Sequence, residues 1–376
     1  MTPKTAYLIT CSDHYKFRLN VIDESLQSLG YKTTYLTSNF DHDTKSVFVS
    51  PVAGAVQIPV RIYKKNLSLD RILSHREFAK KAFAHLESLP QQPDLLLVHI
   101  PPNFLAHYAA KYRKRHPQVK VVFDIFDLWP ETFPGGLIKK LLFPAFSVWA
   151  GLRDKNLNKS DFVLSECEMF RQKLNLPAQT SATVWQCAPA LAVEKCPPKL
   201  EENALSLCYL GSINNIIGID DICGLIRQLS AHKKVILHII GKGETQQVFA
   251  DVARDAGAEV CFHGPIYDAA KKQEIMHRCH FGLNIMKTSV CVGLTMKSVD
   301  YFQFGLPIIN NIPGDTKQLV TERGIGVQLE DGCVQTLLSL SNEDCLAMRA
   351  RVEQMFSECF EKSVILAQYR DVFKEL

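Results

Sequence analysis

The stretch Val290-Cys-Val-Gly-Leu-Thr-Met-Lys-Ser-Val-Asp-Tyr-Phe-Gln-Phe-Gly-Leu-Pro-Ile-Ile309 decides how the rest of the chain reads. Gly293 precedes a helix that ends near Gly305, and Pro307 opens a strand, the loop–helix–strand order of an α/β domain. Lys297 falls in the first turn of that helix. There the macrodipole disfavours a cation by ~0.3–1 kcal/mol unless an anion is also present. Asp300 lies three residues on, on the same face, where a carboxylate can accept hydrogen bonds from vicinal ribose hydroxyls. Taken alone, the two also read as a solvated i, i+3 ion pair.

Around this stretch, strands and helices alternate. Leu205–Leu210, Val235–Ile240, Glu259–His263, His280–Ile285 and Pro307–Asn310 read as strands, with a helix over Asp220–Leu229 and two long helices from Asn342 to Leu376. Nearly continuous apolar runs such as Asp94–Ile100 and Val119–Phe126 suit parallel strands covered on both faces. With Ala6–Thr10, Tyr31–Thr37, Asp161–Leu164, Ala182–Trp185 and a helix from Phe104 to His116, they form a first α/β domain. The charged, Pro-containing stretch around Glu194–Glu202 reads as a linker. The expected division is an N-terminal domain over 1–190, a linker over 191–204, a second domain over 205–341, and closing helices over 342–376 that return toward the first domain.

Ligands of open α/β sheets bind at strand carboxyl ends, in loops that lead into helices. Gly211 and Ser212, then Gly241-Lys242-Gly243, then Gly264-Pro265-Ile266 follow three successive strands, and glycine there permits close approach of an anion. The dinucleotide fingerprint is not met, because Gln246 stands where its third glycine belongs. That weighs against a nicotinamide or flavin enzyme.

Composition narrows the class further. The chain has 376 residues, 47% of them hydrophobic and 22% charged, with a net charge of +4. This suits a globular protein and is too weakly basic for a dedicated nucleic-acid binder. No uncharged apolar run reaches the ~18 residues of a membrane span, and the N-terminus lacks the pattern of a signal peptide. Twelve scattered cysteines without CxxC pairs read as reduced thiols. His277-Arg278-Cys279-His280 lacks a second group at ligand spacing, so no metal site is expected.

The second half resembles the donor-binding domain of GT-B glycosyltransferases, and among them the GT4-like family. Asp300 matches the second acid of that family's spaced pair, and Gly305-Leu-Pro-Ile-Ile309 its following strand. The loops at Tyr209–Ile219, Ile240–Gly243 and Phe262–Ile266 match other donor loops. In the first half, Asp124-Ile-Phe-Asp-Leu-Trp-Pro-Glu131 is similar to a segment of polysaccharide-building members. Three departures stand out. Val292 replaces the first acid, Ser212 and Ile217 replace the usual Arg and Lys, and Thr10-Cys-Ser-Asp-His14 replaces the usual glycine pair.

The resemblance implies an α/β protein of GT-B architecture, two Rossmann-like doubly wound domains facing a central cleft. It implies a retaining, metal-independent glycosyltransferase with no cofactor beyond its nucleotide-sugar donor, acting on a lipid-linked glycan in capsule or O-antigen assembly. The expected donor-binding residues are Gly211, Ser212, Gly241, Lys242, Gly243, Gly264, Pro265, Ile266, Lys287, Val292, Gly293, Leu294, Thr295, Lys297 and Asp300. An inverting enzyme would need a base at a strand carboxyl end of the first domain, where Asp127, His99 and Asp13 are the candidates. Residues 111–159 hold ten Lys/Arg against four Asp/Glu, and Leu141–Leu152 is an uncharged, aromatic run within them. That run reads either as an interfacial helix on an anionic membrane or as a buried helix. The expected location is cytoplasmic, peripheral on the inner face of the membrane, without nucleic-acid partners. A nucleotide-sugar epimerase of the same fold and a catalytically degenerate partner subunit are the alternatives.

Overall fold

A computed structural model describes residues 3–11, 16–66, 68–132, 143–189 and 197–376. The chain divides into two compact units, Met1–Gln186 with Ile365–Leu376, and Cys187–Val364. Asp13 and residues 190–196, which include the first part of the expected linker, lie outside the described residues.

The first unit is a seven-stranded parallel sheet. Its strands are β1 (Lys4–Thr10), β2 (Tyr31–Ser38), β5 (Val56–Ile58), β6 (Leu95–Ile100), β7 (Lys120–Ile125), β8 (Phe162–Ser165) and β9 (Ser181–Thr183). Their order is β5-β2-β1-β6-β7-β8-β9. Every residue of β6 is buried, which explains its nearly continuous apolar run. The helices are α1 (Lys16–Ser28), α2 (Leu69–Glu87), α3 (Phe104–Arg115), α4 (Phe143–Asp154) and α5 (Glu168–Lys173), and a small hairpin pairs β3 (Phe40–Asp41) with β4 (Ser46–Val47).

In the second unit the order is β12-β11-β10-β13-β14-β15, again parallel. These strands are β10 (Leu205–Leu210), β11 (Val235–Ile240), β12 (Ala258–Gly264), β13 (Phe281–Asn284), β14 (Ile308–Asn310) and β15 (Gly326–Gln328). The connecting helices are α6 (Ile219–Ser230), α7 (Gln246–Asp255), α8 (Ala269–Met276), α9 (Met296–Gln303), α10 (Asp315–Arg323) and α11 (Cys333–Ser339). Two longer helices close the chain, α12 (Asn342–Cys359) and α13 (Lys362–Lys374). The strand order, with the central strand entering first and the chain then switching sides, places a topological switch point beside β10. Both sheets are therefore doubly wound, as the alternation of elements anticipates.

Two buried arginines organise the units differently. In the first, Arg18 donates from Nε and Nη2 to the Asp124 carboxylate at 2.7–3.1 Å, while its Nη1 donates to the Val184 carbonyl. Tyr369 of α13 lies beneath the guanidinium at 5.6 Å. In the second, Arg349 of α12 pairs with no carboxylate among the described residues; it donates to the carbonyls of Met276, Cys279, Phe304 and Gly305. Those carbonyls end α8 and α9, so the cation sits where both helix dipoles are negative.

Helix α4 takes in residues 143–152 of the uncharged run. Only Arg153 is buried along it, and Phe143 and Val148 are exposed. The buried-helix alternative is thus not what the structure shows; its neighbours at 133–142 lie outside the described residues. No helix among the described residues is long and apolar enough to cross a membrane.

Asp124 is fully buried, and the Arg18 guanidinium beside it outweighs desolvation to hold its carboxyl below the usual range. A depressed carboxylate contributes stability above its unfolded pKa and loses it as pH falls. Asp124→Asn should therefore cost about 3–5 kcal/mol in urea unfolding at neutral pH, because it strands a buried guanidinium. The deficit should narrow as pH drops below 4.

Candidate functional site

The glycine loops of the second unit are built against one another. Gly211 (φ +121°) donates its amide to the Ile240 carbonyl, Ile213 to Lys242, and Gly241 to Gly264. A Cβ on Gly241 would stand 1.9 Å from the Gly211 oxygen, and one on Gly243 would stand 2.1 Å from that of Ile213. These two glycines are required by loop-to-loop packing, and the amides of Gly211 and Gly241 are already committed to carbonyls. Gly264 differs: its Cβ would meet open space, and its φ of +68° is what needs glycine.

Helix α9 starts on a cap. Thr295 accepts from the Ser298 amide and donates through Oγ1 to Asn284 at 2.8 Å, and Asn284 in turn donates to Asn310. The Gly293 carbonyl receives both the amide and the hydroxyl of Thr316. The loop before α9 is thereby tied to β13, β14 and α10. Val292 and Leu294 are half-buried within it.

From this fixed start Lys297 reaches back to the first loop. Its Nζ lies 4.2 Å from the Tyr209 ring centroid, and its Cε would be 3.6 Å from a Cβ on Gly211. Tyr209 is itself fixed, because its hydroxyl donates to the Ser212 carbonyl. No carboxylate pairs with Lys297 among the described residues, and burial pulls its pKa down to about 8. One turn on, burial pushes Asp300 up to about 6, only partly offset by Lys272. The solvated Lys297–Asp300 ion pair is absent. Each charge is desolvated separately, an arrangement that costs stability.

The remaining candidates are placed as follows. Ser212, Lys242 and Lys287 are exposed, and it is their backbones that tie the loops together. Pro265 is exposed and Ile266 half-buried after β12. Sequence reasoning missed Tyr209 as the platform under Lys297, and Thr316 and Asn284 as supports of the α9 loop.

In the first unit, His99 has no exposed surface. Its Nδ1–H donates to the Asp124 carboxylate at 2.8 Å and its ring stacks on Phe126 at 3.7 Å. A fully covered imidazole cannot touch an acceptor, which corrects its candidacy as a base. Asp127 accepts from the Leu128 amide and the Thr132 hydroxyl, both at 2.7 Å, and burial raises its pKa. It closes a turn. The rest of Asp124–Glu131 is equally engaged: Glu131 pairs with Arg153, and the Trp129 carbonyl accepts from Arg153 and Asn103. Among the described residues, no three His, Cys, Asp or Glu gather to hold a metal.

No protein-family model and no curated protein sequence matches the chain. Solved structures do. The lipopolysaccharide outer core galactosyltransferase WaaB superposes with a TM-score of 0.66 at 16% identity, over 99% of this chain and 100% of its own. HepE of Anabaena, solved in complex with UDP, gives 0.64 at 12% identity over 99% and 100%. WaaG, a glycosyltransferase involved in lipopolysaccharide biosynthesis, gives 0.62 at 11% over 98% and 99%.

Lys297 tests the site by its cost. Its folded pKa lies below its unfolded value, so the penalty is complete below pH 8 and fades toward 10.5. Lys297→Met should raise unfolding stability at pH 7 by about 1–2 kcal/mol, the gain shrinking above pH 8. Loss of stability instead would make Lys297 a structural residue.

Proposed function

We propose that this chain, which has the GT-B fold, is a glycosyltransferase that moves a sugar from a nucleotide-sugar donor to a lipid-linked oligosaccharide or polysaccharide precursor. The observation that carries the reading is Lys297, a largely buried cation lying on Tyr209 beside Gly211 with no carboxylate partner among the described residues. A diphosphate seated there supplies the missing charge. Asp300, one turn along α9, then meets the ribose. HepE was solved with UDP, UDP-glucose, and UDP with glucose, which supports a nucleoside diphosphate as the ligand.

Breaking the anomeric bond leaves negative charge on the departing diphosphate. Lys297 and the first-turn amides of α9 stabilise that charge where it develops, which is how such a site lowers a barrier. This needs no metal, and the reaction in this proposal is metal-independent and retaining. The burial of His99 removes one of the bases an inverting enzyme could use. The protein would work on the inner face of the cell membrane, in the cytoplasm. The exposed Phe143 and Val148 of α4, in a stretch rich in Lys and Arg, suit contact with anionic lipid.

The two pKa values set a pH window for binding. A diphosphate needs Lys297 protonated, so affinity should fall above pH 8; a ribose needs Asp300 ionised, so affinity should fall below pH 6. Calorimetric titration of UDP and GDP across pH 5–9 should show at least one binding best between these limits. Lys297→Met should weaken it about tenfold or more and flatten the alkaline limb, and Asp300→Asn should flatten the acid limb. For the reaction, single radiolabelled nucleotide sugars incubated with membranes and enzyme should deliver one label to the lipid extract. Sugar isomerisation without transfer would establish the epimerase instead, and silence toward every nucleotide the degenerate subunit.

A further inference from the structure

A groove of about 620 Å³ opens on the first unit between α3 and the short 3-10 turn Leu157–Lys159. Its size falls within the ~300–1,000 Å³ of small-molecule pockets. Because α3 leads into β7 and the turn leads into β8, the groove lies at the amino ends of those strands. Open α/β sheets bind their substrates at the opposite end. His107, Lys111, Arg113 and Lys114 line the groove from α3, and Asn158 and Lys159 from the turn. None of the described residues that line it is a carboxylate.

The acids nearby are already committed. Asp161 accepts two bonds from Arg113 at 2.8–2.9 Å and a third from the Val121 amide. Asp154 pairs with Arg153, and Glu87 with Arg115 and His116. Lys111, Lys114 and Lys159 are exposed, and none of them pairs with a carboxylate among the described residues. The last-turn cations Arg113, Lys114 and Arg115 complement the negative end of the α3 dipole. That field falls off within a turn, so it accounts neither for Lys111 nor for Lys159 on a separate element. His107, Lys111 and Lys114 share one face of α3, at i, i+4 and i+7, where like charges repel. Burial first, and then Lys111 and Lys159, push the His107 pKa below its usual value, so the two lysines act on one imidazole from opposite walls. The turn is firmly built. Lys159 Nζ donates to Asn156 Oδ1 at 2.8 Å, the buried Asn156 donates to the Leu152 carbonyl, and Arg113 Nη1 donates to the Lys159 carbonyl.

Cations that converge with no carboxylate to neutralise them make up the chemistry of a dianion site. Ammonium groups act as point charges, which suits the spread charge of a phosphate better than the planar, two-bond demand of a carboxylate. We propose that this groove is a second anion site, which binds a phosphate monoester through Lys111, Lys114 and Lys159, with Asn158 as a further donor. A lipid headgroup and a soluble phosphate ester share that chemistry. The proposal does not depend on the transferase reading, and Lys297 and Asp300 belong to the other unit.

His107 is the local reporter. In the full-length protein its Cε1 proton signal, assigned with His107→Gln, is followed by NMR during titration with glycerol 3-phosphate, inorganic phosphate, acetate and chloride at matched ionic strength. The two phosphates should shift that signal and move its titration to higher pH, because a bound anion favours the imidazolium. Acetate and chloride should do neither to a comparable extent. The double variant Lys111→Gln, Lys114→Gln should bind both phosphates about tenfold or more weakly. Both side chains are exposed, and an unchanged thermal unfolding curve checks that the variant is folded. Sedimentation with vesicles tells the two sources apart. Preference for phosphatidic acid, a monoester, over phosphatidylserine, a diester, that is lost in the double variant assigns the site to a lipid headgroup. Binding of the soluble phosphates without that preference assigns it to a soluble ligand. No shift of the His107 signal with either phosphate, a shift of equal size with acetate, or an unchanged affinity in the double variant would each overturn the proposal.

Discussion

Where a side chain at residue 241 would begin, the carbonyl oxygen of Gly211 already stands. The geometry of the second unit's loops follows from that exclusion. Because residues 241 and 243 carry no Cβ, the loops after β10 and β11 close against each other, and the peptide at Gly211 comes to rest beside Lys297. The cation is left on the face of Tyr209, largely buried and with no carboxylate paired to it among the described residues. An interior arranged for stability alone would put a neutral side chain there. The loops thus determine what kind of partner the helix start can accept.

The elements most legible in the sequence are those buried on both faces. β10 and β11 read as largely apolar hexamers, each with a single polar residue (Ser206 and His238), and the structure gives the same residues. β5 and α2 escaped. The first is three residues at a sheet edge; in the second the stripe of Phe78, Ala79, Ala82, Phe83 and Leu86 is diluted by small residues and interrupted by polar ones. Local pattern carries little about elements that owe their place to tertiary packing.

The same division runs through the candidate site. Lys297 and Asp300 announce themselves because a cation in a first helical turn is out of place on local grounds. Tyr209 does not, since its partner comes from a distant helix and nothing around it in the sequence is unusual. Glycines mislead in the opposite direction: their positions are legible, their reasons are not. Gly264 is chosen for its dihedral angle, Gly241 and Gly243 for the backbone that presses against them. His99 looks like an exposed group at a strand end, and only the structure shows Phe126 laid across it. Asp124–Glu131 likewise stands out as a motif, yet its acids secure Arg18, a turn and Arg153.

The return of the last helix to the first unit bears on how the protein is made. Arg18 precedes the whole second unit in the chain, and the ring beneath it, Tyr369, follows that unit. A ribosome releasing this chain has the whole second unit in hand before the first receives its final piece. The half that begins first is therefore completed last, and a fragment ending at residue 186 would leave a buried cation without its aromatic floor. Dividing the protein for separate expression would call for a permuted chain, in which residues 365–376 precede the first strand.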